Sequence, residues 1–483
     1  MPARLRPAPT LILVTLALAV LSLVRPLDHD ESQYVAAAAL SADGLLPYRD
    51  YAYLQTPLQP LLFAPIAALA GTWTWPALRL ANALLAALAV IATYVAARRA
   101  GASERSALIA ALGFAVCDIL LFSAATARND ALPVAMLAGA LALIAGPAPN
   151  RTRAFATGLL LAGAAAAKIS YALPAAAWGI WALTHRAHRP LWVAAGALPA
   201  ALLTGWLWSL APDDFVFGTL TFPAQAPADY YADRPWKLSL AAKAVDTLKF
   251  LALGPALLAI IAAAGHRVGP WPWLALAGLV AALLPEPTWR QYLLPMLPPL
   301  FVAAALAIDH ARPEARIRRA APLFVVAGLA PSLIALFPGA PAMLAAMRES
   351  AAIRAGLDTA SVRGPVATLS PQFLPATGRR PDPRFATGPF AFRIRAFLPP
   401  SAEAPRRIIT PRTLSAQFDR QPPAAILTGG EARWTSGSDA LESPLDHWAQ
   451  TRGWRAVPLD STRFRLWTPP QAARARRAAT SVS

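Results

Sequence analysis

The chain has 483 residues, 56% hydrophobic and only 14% charged, where an ordinary soluble domain carries about 25% charged residues. That balance excludes a disordered chain, a nucleic-acid-binding arm and most soluble enzymes. The net charge of +18 is dispersed as short Arg clusters between long apolar stretches, so it reports membrane topology and nucleic acid is not an expected partner. Cys117 is the single cysteine, which rules out a disulfide framework or a Cys-based metal site. The cations are nearly all Arg, and with 48 prolines and abundant Ala the usage resembles that of a GC-rich bacterial genome.

A helix needs roughly 20 apolar residues to cross a hydrocarbon core about 30 Å thick. Such windows predict helices over 10–24, 76–97, 106–124, 131–146, 154–168, 171–184, 191–210, 251–265, 268–285, 292–308 and 320–337. Arg4 and Arg6 precede the first, and no small-residue cleavage pattern follows it, so it reads as a retained anchor. The short fifth and sixth windows leave room for one re-entrant segment. Connections after the even-numbered windows carry Arg98, Arg99 and Arg105, then Arg151 and Arg153, Arg186 and Arg189, Arg267, and finally Arg312, Arg316, Arg318 and Arg319. Cytoplasmic loops keep such an excess, so the amino terminus is expected in the cytoplasm and segments 25–75, 211–250 and 338–483 outside. The expected organisation is a multi-spanning domain over 1–337, a soluble α/β domain over 338–470 and a disordered basic tail over 471–483.

The first outer segment opens with Asp28-His29-Asp30-Glu31-Ser32-Gln33-Tyr34. A helix starting here sets Asp30, Glu31 and Tyr34 on neighbouring turns of one face. Asp28 and Glu31 also have capping-box spacing, which requires no chemistry. A cap and a catalytic acid can coexist at one helix start, and acids beside a membrane are more often functional than decorative. His29 among carboxylates is a thin basis for a metal site, and no metal or other cofactor is expected. Gly44 to Asp50 follows, and Gln55-Thr56-Pro57 then leads into apolar residues 57–71, interrupted by Pro57, Pro60 and Pro65. A span there would invert every later Arg connection, so this segment is expected along the interface.

Farther on, Thr126-Ala127-Arg128-Asn129-Asp130-Ala131 falls in the second outer connection, and Asp118 lies inside the third window. Lys168 stands alone among alanines at a span end, a costly placement unless it meets a partner or the interface. Residues 222–234, rich in Pro, Tyr and Asp, read as a loop able to close over substrate. Over 236–250, Leu238, Ala241, Ala242, Val245 and Leu248 share one helical face opposite Lys243, Asp246 and Lys249, the pattern of an amphipathic helix on a leaflet. Trp289-Arg290-Gln291-Tyr292-Leu293-Leu294-Pro295 precedes the tenth window. In the tail, apolar runs at 366–369, 424–427 and 464–467 and a helix over 440–451 predict a small α/β domain. It has no Gly-rich phosphate loop and no nucleophile elbow, which leaves acceptor binding or packing as its role.

The acidic pair after the first span, the Gly-x-x-Pro-Tyr-Arg-Asp stretch from Gly44 to Asp50, the Pro-rich interfacial segment, Arg128-x-Asp130, Lys168 and the Trp289–Pro295 stretch together resemble the GT-C-type glycosyltransferases. That group contains the protein O-mannosyltransferases and the lipid A aminoarabinose transferase, and the resemblance runs from about residue 10 to 310. It implies a mainly α membrane protein of about eleven transmembrane helices in the bacterial inner membrane. The implied activity is inverting transfer of a hexose or pentose from a polyprenyl-phosphate-linked donor to a lipid, glycan or protein acceptor at the outer face. On this resemblance Asp30 is the first candidate base, Glu31 the second, and Asp130 a supporting carboxylate. Arg49, Arg128, Lys168 and Arg290 are the candidate phosphate partners, while Tyr34, Tyr48, Gln55 and Tyr292 are expected to line the pocket. Plainer roles compete: Arg128 pairing with Asp130 or reaching headgroups, and Arg290 anchoring the interface with Trp289 and Tyr292. Many relatives carry Lys directly before the Pro that opens the interfacial helix, where this chain has Thr56. Another cation must therefore meet the phosphate, or the activity differs. A transporter of lipid-linked glycans and a non-catalytic scaffold remain as alternatives. The transporter requires ionisable residues facing one another at mid-membrane, where Asp118 is nearly alone.

Overall fold

The computed structural model describes residues 6–264, 269–310, 315–337, 341–431 and 439–470; Arg4, Arg267, Arg312 and the expected tail 471–483 lie outside them. The membrane-type part runs through α1 (Pro7–Val24), α2 (Glu31–Ala42), α3 (Leu58–Ala70), α4 (Thr74–Arg99), α5 (Glu104–Ala115), α6 (Asp118–Ala124), α7 (Ala131–Ile144), α8 (Arg151–Ala167), α9 (Ala172–Thr184) and α10 (Pro190–Leu210). It continues with α11 (Pro212–Val216), α12 (Phe222–Tyr230), α13 (Leu240–Ala252), α14 (Ala256–Ala263), α15 (Trp271–Leu283), α16 (Leu297–His310) and α17 (Ala315–Ile334). Within the described residues the eleven apolar windows read from the sequence fall largely on helix, interrupted at Val116–Cys117 and at Leu253–Pro255. Among the described residues, four stretches are individually long and apolar enough to cross a membrane: Pro7–Val24, Leu58–Arg99, Pro190–Leu210 and Arg290–His310. Two bent pairs, α5 with α6 at 65° and α13 with α14 at 92°, bring this to six if each pair is one span. The remaining apolar helices are shorter.

Helix ends follow local chemistry. Arg25 precedes Pro26, which disfavours the α region for the residue before it; Arg25 is accordingly extended (φ −63°, ψ 143°) and α1 stops. Where α8 crosses α10 the backbones nearly touch: a Cβ on Gly158 would lie 1.9 Å from the Val193 carbonyl oxygen, and one on Gly196 1.9 Å from that of Phe155. Such reciprocal glycines let apolar helices pack at backbone contact. The break between α5 and α6 meets the break between α13 and α14, where the Asp118 amide donates to the Leu253 carbonyl (3.0 Å). Gly254 there has φ +128°, and a Cβ on it would sit 2.7 Å from Cys117 Cα.

Two expectations change. Residues 222–234 are helical over Phe222–Tyr230, continuous with the helical stretch Phe217–Thr221, with Phe222 and Ala226 buried and Pro227 inside the helix. Helix α13 is amphipathic, but Lys243 turns inward and donates to the Leu283 carbonyl (2.8 Å). Thr247, Phe250 and Leu251 bury with that inner face, and Leu240, Val245 and Leu248 point outward.

The carboxyl-terminal part holds α18 (Ala342–Thr359), α19 (Leu414–Arg420), α20 (Ser443–Thr451) and one sheet of β1 (Val366–Ala367), β2 (Ala425–Thr428), β3 (Arg455–Val457) and β4 (Arg465–Thr468) in the order β1-β2-β4-β3. β1 and β2 are parallel, and the other pairs antiparallel. Side chains alternate across the strands. Ala367, Ile426 and Trp467 face Phe385, Phe418, Leu445 and Trp448. Val366, Leu427 and Leu466 face Ile353 and Leu357 of α18 and join a cluster that includes Trp75 of the membrane part. The Trp75 and Phe373 rings meet edge-on at 5.1 Å, so one sheet face seats the domain on α4.

Candidate active site

The site is built on one buried cation. Arg79 of α4, fully buried, donates to the carbonyls of Ser22 (2.9 Å), Arg25 (3.0 Å) and Pro26 (3.1 Å). These include carbonyls that the end of α1 leaves without helical partners. Its remaining arms grip Glu31 twice, at 2.7 Å each. Glu31 in turn accepts from the Asp28 amide (3.1 Å) and the Ala127 amide (2.5 Å). One arm of the capping box is therefore present, but the Asp28 carboxylate accepts instead from the Asp30 amide (3.0 Å). Arg79 and Glu31 thus fix the turn 25–30 between α1 and α2 and hold it against the loop 125–130.

That loop is pinned from other sides. Asn82 donates to the carbonyls of Thr126 and Arg128, both at 2.7 Å, and Gln59 of α3 donates to the Arg128 carbonyl (3.0 Å). The Arg128 guanidinium bonds Asp28 (2.9 Å), Asp30 and Asp130 (3.2 Å). Lys168, in extended conformation at the end of α8, pairs with Asp130 and lies over the Tyr292 ring at 5.3 Å. Arg290 bonds Asp118 at 2.7 Å, with Arg25 at 3.8 Å from the same carboxylate. Arg25, Arg128 and Arg290 all approach the Phe122 ring, at 5.3, 5.4 and 4.6 Å. Arg290 is the open member: its side chain is 30% exposed, against 6% for Arg128 and 7% for Lys168.

Charge follows geometry. Burial works to raise Asp30, but the Arg128 guanidinium and the His29 ring outweigh it and hold the carboxyl well below the usual range. Burial works to lower His29, and Asp30 and Asp28 raise it above its ordinary value. Burial lowers Arg25 to about 10 against the pull of Asp118. Burial also raises the Tyr34 phenol, which senses Arg128, Asp130 and Asp30. Asp28, His29 and Asp30 place ligand-type atoms within 4.8 Å of one another, and Arg128 donates to both carboxylates.

Among solved structures, ArnT from Cupriavidus metallidurans bound to undecaprenyl phosphate aligns with a TM-score of 0.62, at 16% identity, over 96% of this chain and 98% of that one. The apo state of the same protein gives 0.58 at 16% identity over 96% and 99%. The chain has a GT-C fold. The Saccharomyces cerevisiae O-mannosyltransferase Pmt1-Pmt2 complex bound to the sugar donor aligns at a TM-score of 0.33 and 20% identity, over 44% of this chain and 33% of that one. No family model and no curated protein matches the sequence.

Within this GT-C fold the sequence-derived residues divide. Asp30, Asp130, Arg128 and Lys168 form one contact chain, and Arg290 and Tyr292 adjoin it. Gln55 reaches it through Asn129 (3.1 Å). Glu31 adjoins the chain but is consumed by Arg79. Arg49 does not join: it is exposed and bonds Asp50 (2.7 Å). Tyr48 packs against Phe215 at 4.9 Å and donates to the Gln55 carbonyl (2.5 Å). Sequence reasoning missed Asp28, Arg25, Arg79 and Phe122, and also Arg393 of the carboxyl-terminal part, whose Nη1 lies 3.2 Å from His29 Nε2.

Proposed function

We propose that the chain is an integral membrane glycosyltransferase that moves a sugar from a polyprenyl-phosphate-linked donor to an acceptor at the outer face of the bacterial inner membrane. The observation that carries this reading is the convergence of Asp30, Asp130, Arg128, Lys168 and Arg290 at the ends of separate apolar helices. The GT-C fold supports it, as does the undecaprenyl phosphate bound in the ArnT structure.

In this mechanism Asp30 accepts the proton of the acceptor hydroxyl as that oxygen attacks the anomeric carbon. The bond to the phosphate oxygen breaks, its electron pair leaves with the phosphate, and attack opposite the leaving group inverts the centre. Negative charge grows on the departing phosphate and is met by fixed cations that need no reorganisation. Arg290, the most open, meets the phosphate first, with Arg25, Arg128 and Lys168 behind it; these take the part of the Lys that relatives carry before Pro57. In the resting cluster Arg25, Arg79, Arg128, Lys168 and Arg290 balance Asp28, Asp30, Glu31, Asp118 and Asp130. An arriving phosphate therefore competes with carboxylates for Arg128. Asp30, released from that guanidinium, becomes the better base as the donor seats.

The test is turnover of undecaprenyl-phosphate sugars by purified protein. Asp30→Asn is expected to lower kcat by about 10²- to 10⁴-fold, the range for losing a general base, with donor KM nearly unchanged. Transfer at the wild-type rate would remove Asp30 as the base, and donor binding without transfer by the wild type would favour a transporter or scaffold.

A further inference from the structure

We propose that Arg393 of the carboxyl-terminal part is a positioning residue for Asp30, acting through a ring nitrogen of His29. The inference rests on the glycosyltransferase reading above. His29 Nε2 lies 2.9 Å from Asp30 Oδ1 and 3.2 Å from Arg393 Nη1. One imidazole nitrogen cannot serve both: it is an N–H that donates to Asp30 or a lone pair that accepts from Arg393. In the first form His29 engages the carboxylate that must take the acceptor's proton. In the second, Arg393 occupies Nε2 and leaves Asp30 free of it. Arg393 thus biases His29 toward the form in which Asp30 is available.

The charged groups facing the ring are Asp28 and Asp30 from its own turn, Arg128 beyond them, Arg393 from the strap 390–397, and Glu431, whose carboxylate is 3.6 Å from Arg393. The strap is held in place. Asp229 of α12 accepts from the amides of Arg395 (2.9 Å), Ala396 (2.9 Å) and Phe397 (3.2 Å), and the Tyr230 hydroxyl donates to the Phe390 carbonyl (2.7 Å). The site is therefore completed by a residue more than 360 positions away, fixed by an outer helix of the membrane part. This gives the carboxyl-terminal part a role in the chemistry.

The experiment compares full-length wild type, Arg393→Ala, Arg393→Lys and Arg395→Ala, measuring kcat and donor KM against pH with a panel of undecaprenyl-phosphate-linked sugars. It also follows the titration of 13C-labelled His29, assigned by its loss in His29→Gln. In Arg393→Ala, kcat at pH 7 is expected to fall by about tenfold or more with donor KM within about twofold, as for impaired base catalysis. Its acid limb should move to higher pH, because a more firmly protonated His29 engages Asp30. Arg393→Lys keeps a cationic donor and restores the limb. Arg395→Ala, which removes the exposed ion pair with Asp233 but keeps the backbone amide on Asp229, behaves as wild type. The His29 titration moves up in Arg393→Ala whether or not donor is turned over, so an inert wild type with that shift would sink the transferase reading and leave the coupling standing. An unchanged His29 titration overturns the inference, as does a loss of activity with the acid limb in place, which would assign Arg393 to domain docking alone.

Discussion

Against burial, Arg128 together with His29 holds the Asp30 carboxyl below its usual range, and the Arg128 share has a signature in stability. A carboxyl held below its unfolded value contributes stability above about pH 4, and that contribution is lost as pH falls through the lowered folded value. The His29 ring, held above its unfolded value, contributes fully below about pH 6.5 and loses its share as pH rises through the raised folded value. Arg128→Gln should flatten the acid side of a curve of Tm against pH and leave the His29 limb in place; an acid side like that of the wild type would show that Arg128 does not hold Asp30. At this scale the sequence was legible where ionisable residues sat at the edge of an apolar window, in short clusters such as Asp28–Glu31 and Arg128–Asp130 or singly as with Lys168. Arg79 gave the same signal inside the second window, and its burial with Glu31 shows how an acid that looks catalytic can be structural. Arg25 was hidden because an Arg flanking a span is already accounted for as an anchor. Arg49 belongs to a recognisable motif yet faces solvent, since motif membership does not fix where a side chain points. No local pattern links His29 to Arg393.

Helices were legible as elements because each needs a long apolar run, but their bends were not. The break at Val116–Asp118 has no Pro or Gly within it; it is held by the Leu253 carbonyl and the Gly254 backbone of a distant break. Close approach was equally invisible, since Gly158, Gly196 and Gly205 read alike in sequence and only the first two meet a neighbouring backbone. Gly196→Leu is expected to force α8 and α10 apart and destabilise by about 1–3 kcal/mol, the range for an overpacked core. Gly205→Leu, where a Cβ meets nothing within 4 Å, should leave thermal unfolding in detergent unchanged. Equal Tm values for the two variants would mean that the α8–α10 crossing yields without cost.

For the whole molecule, the mainly α body and the small α/β sheet were legible, whereas the seat of that sheet on Trp75 was not, because Trp75 and Phe373 come together only in the fold. Sidedness remains the property on which the proposed chemistry depends, since a polyprenyl-phosphate donor used at the outer face requires the Asp30 cluster to be there. The proposed function takes the basic connections after alternate helices as cytoplasmic, by the excess of Arg in such loops, an orientation that would have the amino terminus inside and residues 25–75 and the carboxyl-terminal part outside. Cys117 is fully buried, so the native chain gives a low background for thiol labelling. Single cysteines introduced as Ser239→Cys and Ser401→Cys, both at exposed positions, should react with a membrane-impermeant maleimide on intact cells. Ala187→Cys, in the exposed connection between α9 and α10, should react only after permeabilisation. The reverse pattern would place Asp30, Arg128 and Arg393 in the cytosol, away from an outer-face acceptor, and the proposed transfer would have no place to occur.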